Sequence, residues 1–303
     1  MVIALGGNAL TRGIEGSIAN QRETIRQTIP HMVTLAAEGH DLIFTHGNGP
    51  QIGQLLTQNE ESTSTPVRPL DVLVAETQAQ IGYLLQQELH AALEVTPVTV
   101  VTQVLVDRGD RAFERPTKRI GPFLGEEEAE QAPYQVAEDS DTNGKIGYRR
   151  VVASPMPLEI IESGQIESLV ETGQPVICVG GGGVPVAEVD GRLEGVEAVV
   201  DKDYSSQVLA NQIEADELIL LTDVDAAYRD FSSPERTRLH QLNADEASEL
   251  LEAGEFGEGS MAPKIEAAVT FVTKGGDRAL ITAIDTLEEA LAGETGTRIR
   301  SQT

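Results

Sequence analysis

The sequence predicts an α/β fold in which helices cover both faces of a mainly parallel sheet. Short apolar runs alternate with longer amphipathic segments along the 303 residues, which is the strand–helix–strand order of sheets with crossover helices. Three of the apolar runs end in glycine-rich turns, a pattern typical of the ligand-binding edge of open α/β sheets. Residues 107–150 interrupt the alternation with a polar stretch that contains three prolines, and its length indicates a lid or insertion. We therefore predict one domain over residues 1–303 with an inserted lid subdomain at residues 107–150.

The part of the chain before the insertion predicts three strands and two long helices. The strands cover residues 2–5, 42–45 and 98–106, and the last of these is rich in β-branched side chains. The helices cover residues 17–38 and 70–93, where isoleucine and leucine recur at helical spacing.

After the insertion the alternation of helices and strands resumes. The predicted helices cover residues 158–170, 203–213, 244–252, 264–273 and 287–291, and the predicted strands cover residues 175–179, 217–221 and 279–283. Residues 184–200 hold an Asp190-Gly191 dipeptide between two short extended runs, which predicts a β-hairpin.

The charge of the chain excludes several classes of partner. Its 49 Asp and Glu outnumber its 22 Lys and Arg, for a net charge of −27, whereas nucleic acids and anionic membranes select clustered basic residues. The acidic residues are dispersed and only five lysines occur. We therefore expect an acidic surface adapted to high salt, with an ordinary acidic cytosolic enzyme as the alternative.

The single cysteine and the N-terminus bear on the cellular compartment. Cys178 has no second cysteine with which to form an internal disulfide, and its apolar neighbours predict a buried strand. The N-terminus shows no basic segment followed by an apolar run, and no run of 18 apolar residues occurs. We expect a cytoplasmic protein.

The glycine-rich turns predict a site for a phosphate or a carboxylate. They are GGN at residues 6–8, GNG at residues 47–49 and GGGG at residues 180–183. Glycines allow close approach of the backbone, and exposed N–H groups attract anions. The P-loop pattern is absent, and the dinucleotide pattern fails because Ile52 stands in place of its last glycine.

Two of the few lysines are candidates for phosphate chemistry. Lys202 lies in VVDKD and Lys264 in GSMAPK, each near a predicted helix start, where the helix dipole also attracts anions. A compact ammonium neutralises phosphoryl oxygens well. Asp201 and Asp203 flank Lys202 and could orient lysines, hold Mg²⁺ or cap the helix.

Motifs along essentially the whole chain resemble those of carbamate kinases, which belong to the amino acid kinase superfamily. The motifs are IALGGNAL, THGNGPQIGQLLTQNE, PTKRIGPF, GGGGVPV, GVEAVVDKD, LLTDVDAAY and GSMAPKIEAA. The resemblance implies a three-layer αβα sandwich and a homodimer. It also implies reversible, Mg²⁺-dependent phosphoryl transfer between ATP and carbamate, running physiologically from carbamoyl phosphate and ADP toward ATP in arginine fermentation.

Carried over motif by motif, the resemblance implies roles for individual residues. The implied catalytic residues are Lys202, Lys264, Asp203 and, from the lid, Lys118. The residues implied to bind the phosphoryl group and carbamate are Gly6, Gly7, Asn8, Gly47, Asn48, Gly181 and Gly182. Those implied to line the nucleotide pocket are Thr222, Asp223, Tyr228, Met261 and Pro263. No residue is a certain metal ligand, so Mg²⁺ is expected to be held mainly by the nucleotide phosphates.

Other readings of the same motifs remain open. Related kinases phosphorylate acetylglutamate, aspartate or UMP, but the PTKRIGPF insertion favours carbamate. A metabolite-binding regulator without turnover is a further alternative, against which the retained lysines argue. His46 adjoins GNG and is interpreted as a turn residue packed beneath the loop rather than a base. Tyr204, Ala262 and Met156 depart from the family motifs.

Overall fold

The computed structural model describes residues 1–6, 10, 17–37, 39–140, 146–231, 233, 235–257 and 260–301. The strands are β1 (Val2–Leu5), β2 (Ile43–His46), β3 (Val98–Thr99), β4 (Gln103–Val106), β5 (Lys118–Leu124), β6 (Val136–Ser140), β7 (Ile146–Val152), β8 (Pro157–Ile160), β9 (Val176–Ile177), β10 (Val184–Val189), β11 (Arg192–Gly195), β12 (Glu217–Thr222), β13 (Ala227–Arg229), β14 (Thr237–Leu239), β15 (Gln241–Asn243), β16 (Arg278–Ala283) and β17 (Thr297–Arg300). The α-helices are α1 (Ile18–Ala37), α2 (Gly49–Glu61), α3 (Leu70–Leu93), α4 (Glu126–Gln131), α5 (Ser163–Val170), α6 (Lys202–Gln212), α7 (Ala244–Glu252), α8 (Met261–Thr273) and α9 (Leu287–Ala292). Short 3₁₀ turns cover Arg111–Phe113, Gly180–Gly182 and Ile284–Thr286. Within the described ranges, no helix is both long and apolar enough to span a membrane.

The largest sheet confirms the predicted parallel arrangement. Its order, over the described residues, is β15-β17-β16-β12-β1-β2-β9-β3. Paired neighbours run parallel, except that β17 is antiparallel to β16. Strand β1 therefore lies in the middle of the sheet, between β12 and β2, and the carboxyl ends of all three strands meet at one edge.

Helices cover both faces of this sheet, as predicted. Alternate residues of β1 face opposite sides, because side chains of a strand have a period of two. Val2 and Ala4 pack in a cluster with side chains of α6, α7 and α8, whereas Ile3 and Leu5 pack with side chains of α1, α3 and α9. Both clusters are almost fully buried. The molecule is therefore a three-layer αβα sandwich.

Among the residues that the structure describes, three smaller sheets accompany the central one. One has the order β11-β10-β4-β8, one the order β5-β7-β6, and β13 pairs with β14. The predicted hairpin at residues 184–200 is confirmed as β10 and β11, which pair antiparallel. Asp190 and Gly191 both have positive φ, at 50° and 76°, as a two-residue turn of this type requires.

Two predicted elements are wrong in detail. The predicted strand at residues 98–106 is divided, because β3 pairs with β9 in the central sheet and β4 pairs with β8 and β10 in another. The predicted helix at residues 158–170 is also divided, because β8 precedes α5. In the first case a run rich in β-branched residues hides a change of partner strand, and in the second the apolar spacing suits a helix although its first residues form a strand, so periodicity alone does not separate the elements.

Helix α2 has no counterpart among the sequence predictions. Its sequence, GPQIGQLLTQNEE, begins in the glycine-rich turn and carries few apolar side chains. Ile52 and Leu56 nevertheless form its buried side, together with Gln51 and Asn59. Helix α8 likewise begins earlier than predicted, at Met261.

Candidate active site

The carboxyl ends of β1, β2 and β12 lie side by side at the edge of the sheet next to the candidate site. Gly6 follows β1, and a Cβ atom there would lie 2.8 Å from the carbonyl oxygen of Leu221 in β12. Gly47 follows β2 and donates its N–H to the carbonyl oxygen of Leu5 at 3.3 Å. The lack of a side chain at Gly6 thus allows the ends of β1 and β12 to approach each other closely. Thr222 lies at the end of β12 beside Gly6.

The second glycine-rich turn leads directly into α2, whose first residues line the cavity described below. Asn48 occupies the cap position, but its side chain makes no cap bond. Instead, its Nδ2 donates to the hydroxyl of Thr77 at 2.9 Å, and that hydroxyl donates to the carbonyl of Val74 at 2.6 Å. The N-terminus of a helix offers unpaired N–H groups and positive potential. The turn therefore places the positive end of the α2 dipole at the cavity, which favours an anion there.

The third glycine-rich turn, at residues 180–183, packs against the second. Gly181 has φ of +64°, and a Cβ there would lie 2.2 Å from the amide of Asn48. A Cβ on Gly182, whose φ is +86°, would lie 2.3 Å from the carbonyl oxygen of Val200. Only glycine accommodates both the backbone conformation and the approach. The hydroxyl of Ser205 in α6 donates to the carbonyl of Gly182 at 2.7 Å, which fixes the turn to that helix.

Two lysines converge on one carboxylate at the centre of the site. Lys202 Nζ donates to Asp203 Oδ1 and Lys264 Nζ donates to Asp203 Oδ2, each at 2.7 Å. Asp203 and Lys264 are buried, and the stem of Lys202 lies over Gly47, where a Cβ would come within 3.4 Å of its Cδ. Asp203 thus connects the starts of α6 and α8 and binds one ammonium group with each of its two oxygens.

The pKa values of Lys202 and Lys264 are shifted in opposite directions. Burial acts to lower the pKa of Lys202, but the charges of Asp203 and Asp201 outweigh it and raise that pKa. Burial and the neighbouring charge of Lys202 lower the pKa of Lys264. An additional anion beside Lys264 would therefore stabilise its ammonium, because burial and the charge of Lys202 both disfavour the protonated form.

The third candidate lysine approaches from the antiparallel β5-β7-β6 sheet. Lys118, at the start of β5, donates to Asp201 Oδ2 at 2.5 Å. Asp201 Oδ1 also accepts the backbone N–H of Asp203 at 2.9 Å and thereby caps α6. Of the alternatives left open by the sequence, the structure thus shows Asp201 bonded to a lysine and capping a helix.

These groups enclose a cavity of about 260 Å³. Its lining includes the predicted residues Gly47, Asn48, Lys118, Gly181, Lys202, Asp203, Pro263 and Lys264. Sequence reasoning assigned no role to six further lining residues, which are Leu10, Gln51, Ile120, Val199, Val200 and Ser260. Each of them lies inside one of the motifs quoted above, and that position was the available signal, because none of the six side chains is charged.

His46 lies beneath this site and does not line the cavity. Its Nδ1 lies 2.9 Å from the carbonyl oxygen of Gly47, so Nδ1 carries a proton. Complete burial lowers its pKa to about 4. A pKa this low makes the ring a weak proton acceptor, which together with its place outside the cavity lining favours its interpretation as a packed turn residue rather than a base.

The residues predicted to bind the nucleotide are divided between two places. Pro263 lines the cavity and Met261 lies one turn before Lys264 at the start of α8. Thr222 and Asp223 lie at the end of β12, and Tyr228 lies on β13. The last three do not line the 260 Å³ cavity.

Tyr228 lies in a cluster of polar and aromatic side chains. Its hydroxyl donates to Asp225 Oδ1 at 2.8 Å. The guanidinium of Arg236 lies 4.9 Å from the centre of the Tyr228 ring and 5.5 Å from that of Phe231. Gly7 and Asn8, the remaining predicted site residues, lie outside the described ranges.

Comparison with known proteins places this geometry in a family. The profile described as "Amino acid kinase family" matches residues 1–283. A protein of Halobacterium salinarum named "Carbamate kinase" is 59% identical over 298 residues, which are 98% of this chain and 97% of that protein. A "Carbamate kinase" of Trichomonas vaginalis is 43% identical and covers 99% of this chain and 98% of its own length. The structure titled "Carbamate kinase from Giardia lamblia bound to AMP-PNP" superposes with a TM-score of 0.90 at 37% identity, covering 99% of this chain and 98% of that one.

The chain therefore belongs to the amino acid kinase family, and it is a phosphotransferase. Within that family the three relatives described above are named carbamate kinases, in agreement with the resemblance of its motifs.

Proposed function

We propose that the protein transfers a phosphoryl group reversibly between carbamoyl phosphate and ADP, yielding carbamate and ATP. The observation that carries this proposal is the convergence of Lys118, Lys202 and Lys264 on one small cavity beside the α2 N-terminus. Carbamate is a very small acceptor, and a cavity of about 260 Å³ suits a phosphoryl group together with a small anion.

The proposed reaction breaks the bond between the carbamate oxygen and phosphorus and forms one from the β-phosphate oxygen of ADP to the same phosphorus. Charge spreads over the phosphoryl oxygens during transfer, and positioned cations stabilise it. Lys202 and Lys264 supply those cations near the strand ends, and Lys118 supplies one from β5. In the reverse direction carbamate is already an anion, so no general base is required.

Magnesium is proposed to enter with the nucleotide. Both carboxylates that line the cavity, Asp201 and Asp203, already accept hydrogen bonds from lysines. Among the described residues, no group of three or more His, Cys, Asp or Glu side chains is arranged for a metal ion. This donor set fits an ion that is held by the nucleotide phosphates. When bound, the ion would add positive charge to the cavity.

The nucleotide is proposed to extend from the cavity along the end of β12 toward Thr222, Asp223 and Tyr228, with Met261 and Pro263 on the opposite side. The related Giardia lamblia structure carries AMP-PNP, which supports nucleotide binding in this fold. Residues 107–150 are proposed to act as a lid that brings Lys118 to the substrate.

We further propose that the chain forms a homodimer. Strand β3 is an edge strand of the central sheet, and apolar side chains near it are exposed, namely Tyr83 at 54% and Val101 at 48%. Light scattering should give twice the mass of 32.4 kDa. A Tyr83→Asp, Val101→Asp double variant should be monomeric, and an unchanged dimer would place the interface elsewhere.

The proposed setting is the cytoplasm, where the reaction would supply ATP during arginine breakdown. Deletion of the gene from the source cells should abolish growth that depends on arginine as the energy source. Restoration by the intact gene, and not by a Lys264→Met variant, would attribute the defect to catalysis.

The proposed reaction is tested by following ATP formation from ADP and carbamoyl phosphate from low to multimolar salt. We expect ATP formation that requires Mg²⁺ and stops when the ion is chelated. Parallel assays should offer ATP with acetylglutamate, aspartate or UMP as the acceptor. Absence of ATP at every salt concentration, or faster transfer to one of those acceptors, would contradict the proposal.

A further inference from the structure

One carboxylate connects the β5-β7-β6 sheet to the helix that carries two site residues. Asp201 Oδ2 accepts a hydrogen bond from Lys118 Nζ at 2.5 Å, while Asp201 Oδ1 accepts the N–H of Asp203 at 2.9 Å. The two oxygens of one side chain therefore serve β5 and α6 separately. Both Asp201 and Lys118 line the cavity.

The cap alone does not explain an aspartate at this position. Asparagine and serine cap helices about as well as aspartate, and neither would add a negative charge to a cavity that is lined by lysines and suited to anions. Burial acts to raise the pKa of Asp201, but the charges of Lys118 and Lys202 outweigh it and hold that pKa well below its usual range. The carboxylate is therefore ionised whenever the protein is folded near neutral pH, and its charge requires another explanation.

The interaction with Lys118 supplies that explanation. Lysine carries its ammonium on a flexible stem with four rotatable bonds, and the Lys118 side chain is 32% exposed. Without a partner, the ammonium would sample many positions over the cavity. An ammonium has three N–H donors, so a bond to Asp201 fixes its position and leaves two donors for a substrate.

We propose that Asp201 is a positioning residue, which holds the Lys118 ammonium at the cavity for the phosphoryl donor or acceptor. This inference rests on the proposed function, because its kinetic effects are measured in the proposed reaction. Other contacts hold the sheet itself in place, since Arg150 of β7 bonds to Glu60 of α2 at 2.5 Å and Gly121 of β5 packs on Gly53 of α2. Besides its effect on the pKa of Lys202, the negative charge of Asp201 is thus assigned to the orientation of the Lys118 side chain rather than to docking of the whole sheet.

The variant Asp201→Asn separates the two roles, because it retains the helix cap and removes the charge. We expect kcat/KM for carbamoyl phosphate to fall roughly tenfold to a hundredfold, as small misplacements of a reacting group do, with little change in KM for ADP. The melting temperature should change little. A rise in kcat/KM would instead mean that the carboxylate only repels the substrate, and would overturn the proposal.

A double-variant cycle tests whether Asp201 acts through Lys118. In a Lys118→Met background, Asp201→Asn should change kcat/KM less than twofold, because the group that it positions is gone. Independent losses that multiply in the double variant would overturn the proposal.

A spectroscopic test does not depend on catalysis. Only five lysines occur in the chain, so labelling lysine with ¹³C at Cε gives a spectrum with few signals, in which Lys118→Met assigns the signal of Lys118. In the substrate-free protein this signal should lie away from that of a free lysine, and Asp201→Asn should return it toward the free position while the signal of exposed Lys274 stays unchanged. A Lys118 signal that does not respond to Asp201→Asn would overturn the positioning role, whereas absence of ATP formation by the intact protein would defeat only the proposed function.

Discussion

Lys264 is the residue whose removal should separate catalysis from folding most clearly. Its ammonium is buried and bonded to Asp203, and transfer of a phosphoryl group would bring a compensating negative charge to it. The variant Lys264→Met keeps an apolar stem and removes the cation. We expect kcat for ATP formation to fall by roughly 10²–10³, the scale of losing one preorganised charge-stabilising group.

Folding should be much less affected by Lys264→Met. Removing one member of a buried ion pair costs about 3–5 kcal/mol when it leaves a charge unpaired, but Asp203 keeps Lys202 as a partner. Urea unfolding should therefore show a smaller loss. Lys274→Met, at the exposed end of the same helix, is the matched control and should leave kcat unchanged. A kcat near that of the wild type in Lys264→Met would make Lys264 a structural residue.

The burial of His46 predicts that the stability of the protein, rather than its catalysis, depends on pH. Burial holds its pKa at about 4 in the folded protein, whereas an unfolded histidine has a pKa near 6.5. The unfolded chain therefore takes up the proton first as the pH falls, and stability is lost between pH 6.5 and 4. This difference in pKa between the folded and unfolded states corresponds to a loss of about 3 kcal/mol in the free energy of unfolding.

Urea unfolding at several pH values in constant salt measures this contribution. His46→Asn retains a nitrogen that can donate to the Gly47 carbonyl but does not titrate. The free energy of unfolding of the wild type should fall more steeply between pH 7 and 4.5 than that of His46→Asn. Parallel curves would show that His46 does not titrate differently in the two states.

At the level of single residues, lysine scarcity was the most informative signal in the sequence. It singled out Lys202 and Lys264, and the motif around Lys118 added a third, and the structure brings all three to one cavity. The sequence did not reveal that Asp201 would bond to Lys118, because the two residues are 83 positions apart and no local pattern connects them. Long-range pairing of this kind depends on how β5 docks, which periodicity does not encode.

At the level of elements, the contact between α2 and β5 should control the position of Lys118. A Cβ on Gly53 of α2 would lie 2.1 Å from the Cα of Gly121, so Gly53→Ala must push β5 away. Overpacking of this kind costs about 1–3 kcal/mol. We expect stability to fall by that amount in urea unfolding, and kcat/KM for carbamoyl phosphate to fall at least tenfold, because β5 carries Lys118.

Gly164→Ala is the matched control for this substitution. Gly164 also lies in a helix, α5, but nothing lies within 4 Å of the Cβ it would gain. Alanine favours a helix over glycine by roughly 1 kcal/mol, so this variant should be slightly more stable and fully active. If Gly53→Ala behaved as Gly164→Ala does, the close packing of α2 on β5 would have no functional consequence.

The helices and strands differ in how well the sequence predicted them, for a physical reason. Helix α3 begins and ends where predicted, because apolar residues recur along its buried side both before and after the polar pair Thr77 and Gln78. The run at residues 98–106 was misassigned because it changes its partner strand without a turn signal, and the run at residues 158–170 because its apolar spacing also suits a helix. Helix α2 was missed because polar Gln51 and Asn59 occupy buried positions, so its amphipathic pattern is weak.

At the level of the whole molecule, the acidic surface and the proposed substrates oppose each other. The protein carries a net charge of −27, yet ADP and carbamoyl phosphate are anions. The layered fold resolves this locally, because it gathers three of the five lysines and the N-terminus of α2 at one edge of the sheet. Composition predicted the acidic surface, whereas the cationic site depends on the order of the strands.

The same net charge predicts that stability depends on salt. Like charges on the surface repel one another, and salt screens them, with a Debye length of about 10 Å at 0.1 M and about 3 Å at 1 M. We therefore expect the melting temperature to rise between 0.05 M and 1 M KCl.

Exposed Glu159, Glu167 and Glu171 allow a matched test, because Glu→Gln at all three removes negative charge away from the active site. This variant should melt at a higher temperature than the wild type in low salt and at nearly the same temperature in high salt, since the removed repulsion is screened there. A difference that persists unchanged at 1 M KCl, or a wild type that is equally stable and active after dialysis to low salt, would show that charge repulsion does not set the stability and would contradict the inferred adaptation to salt.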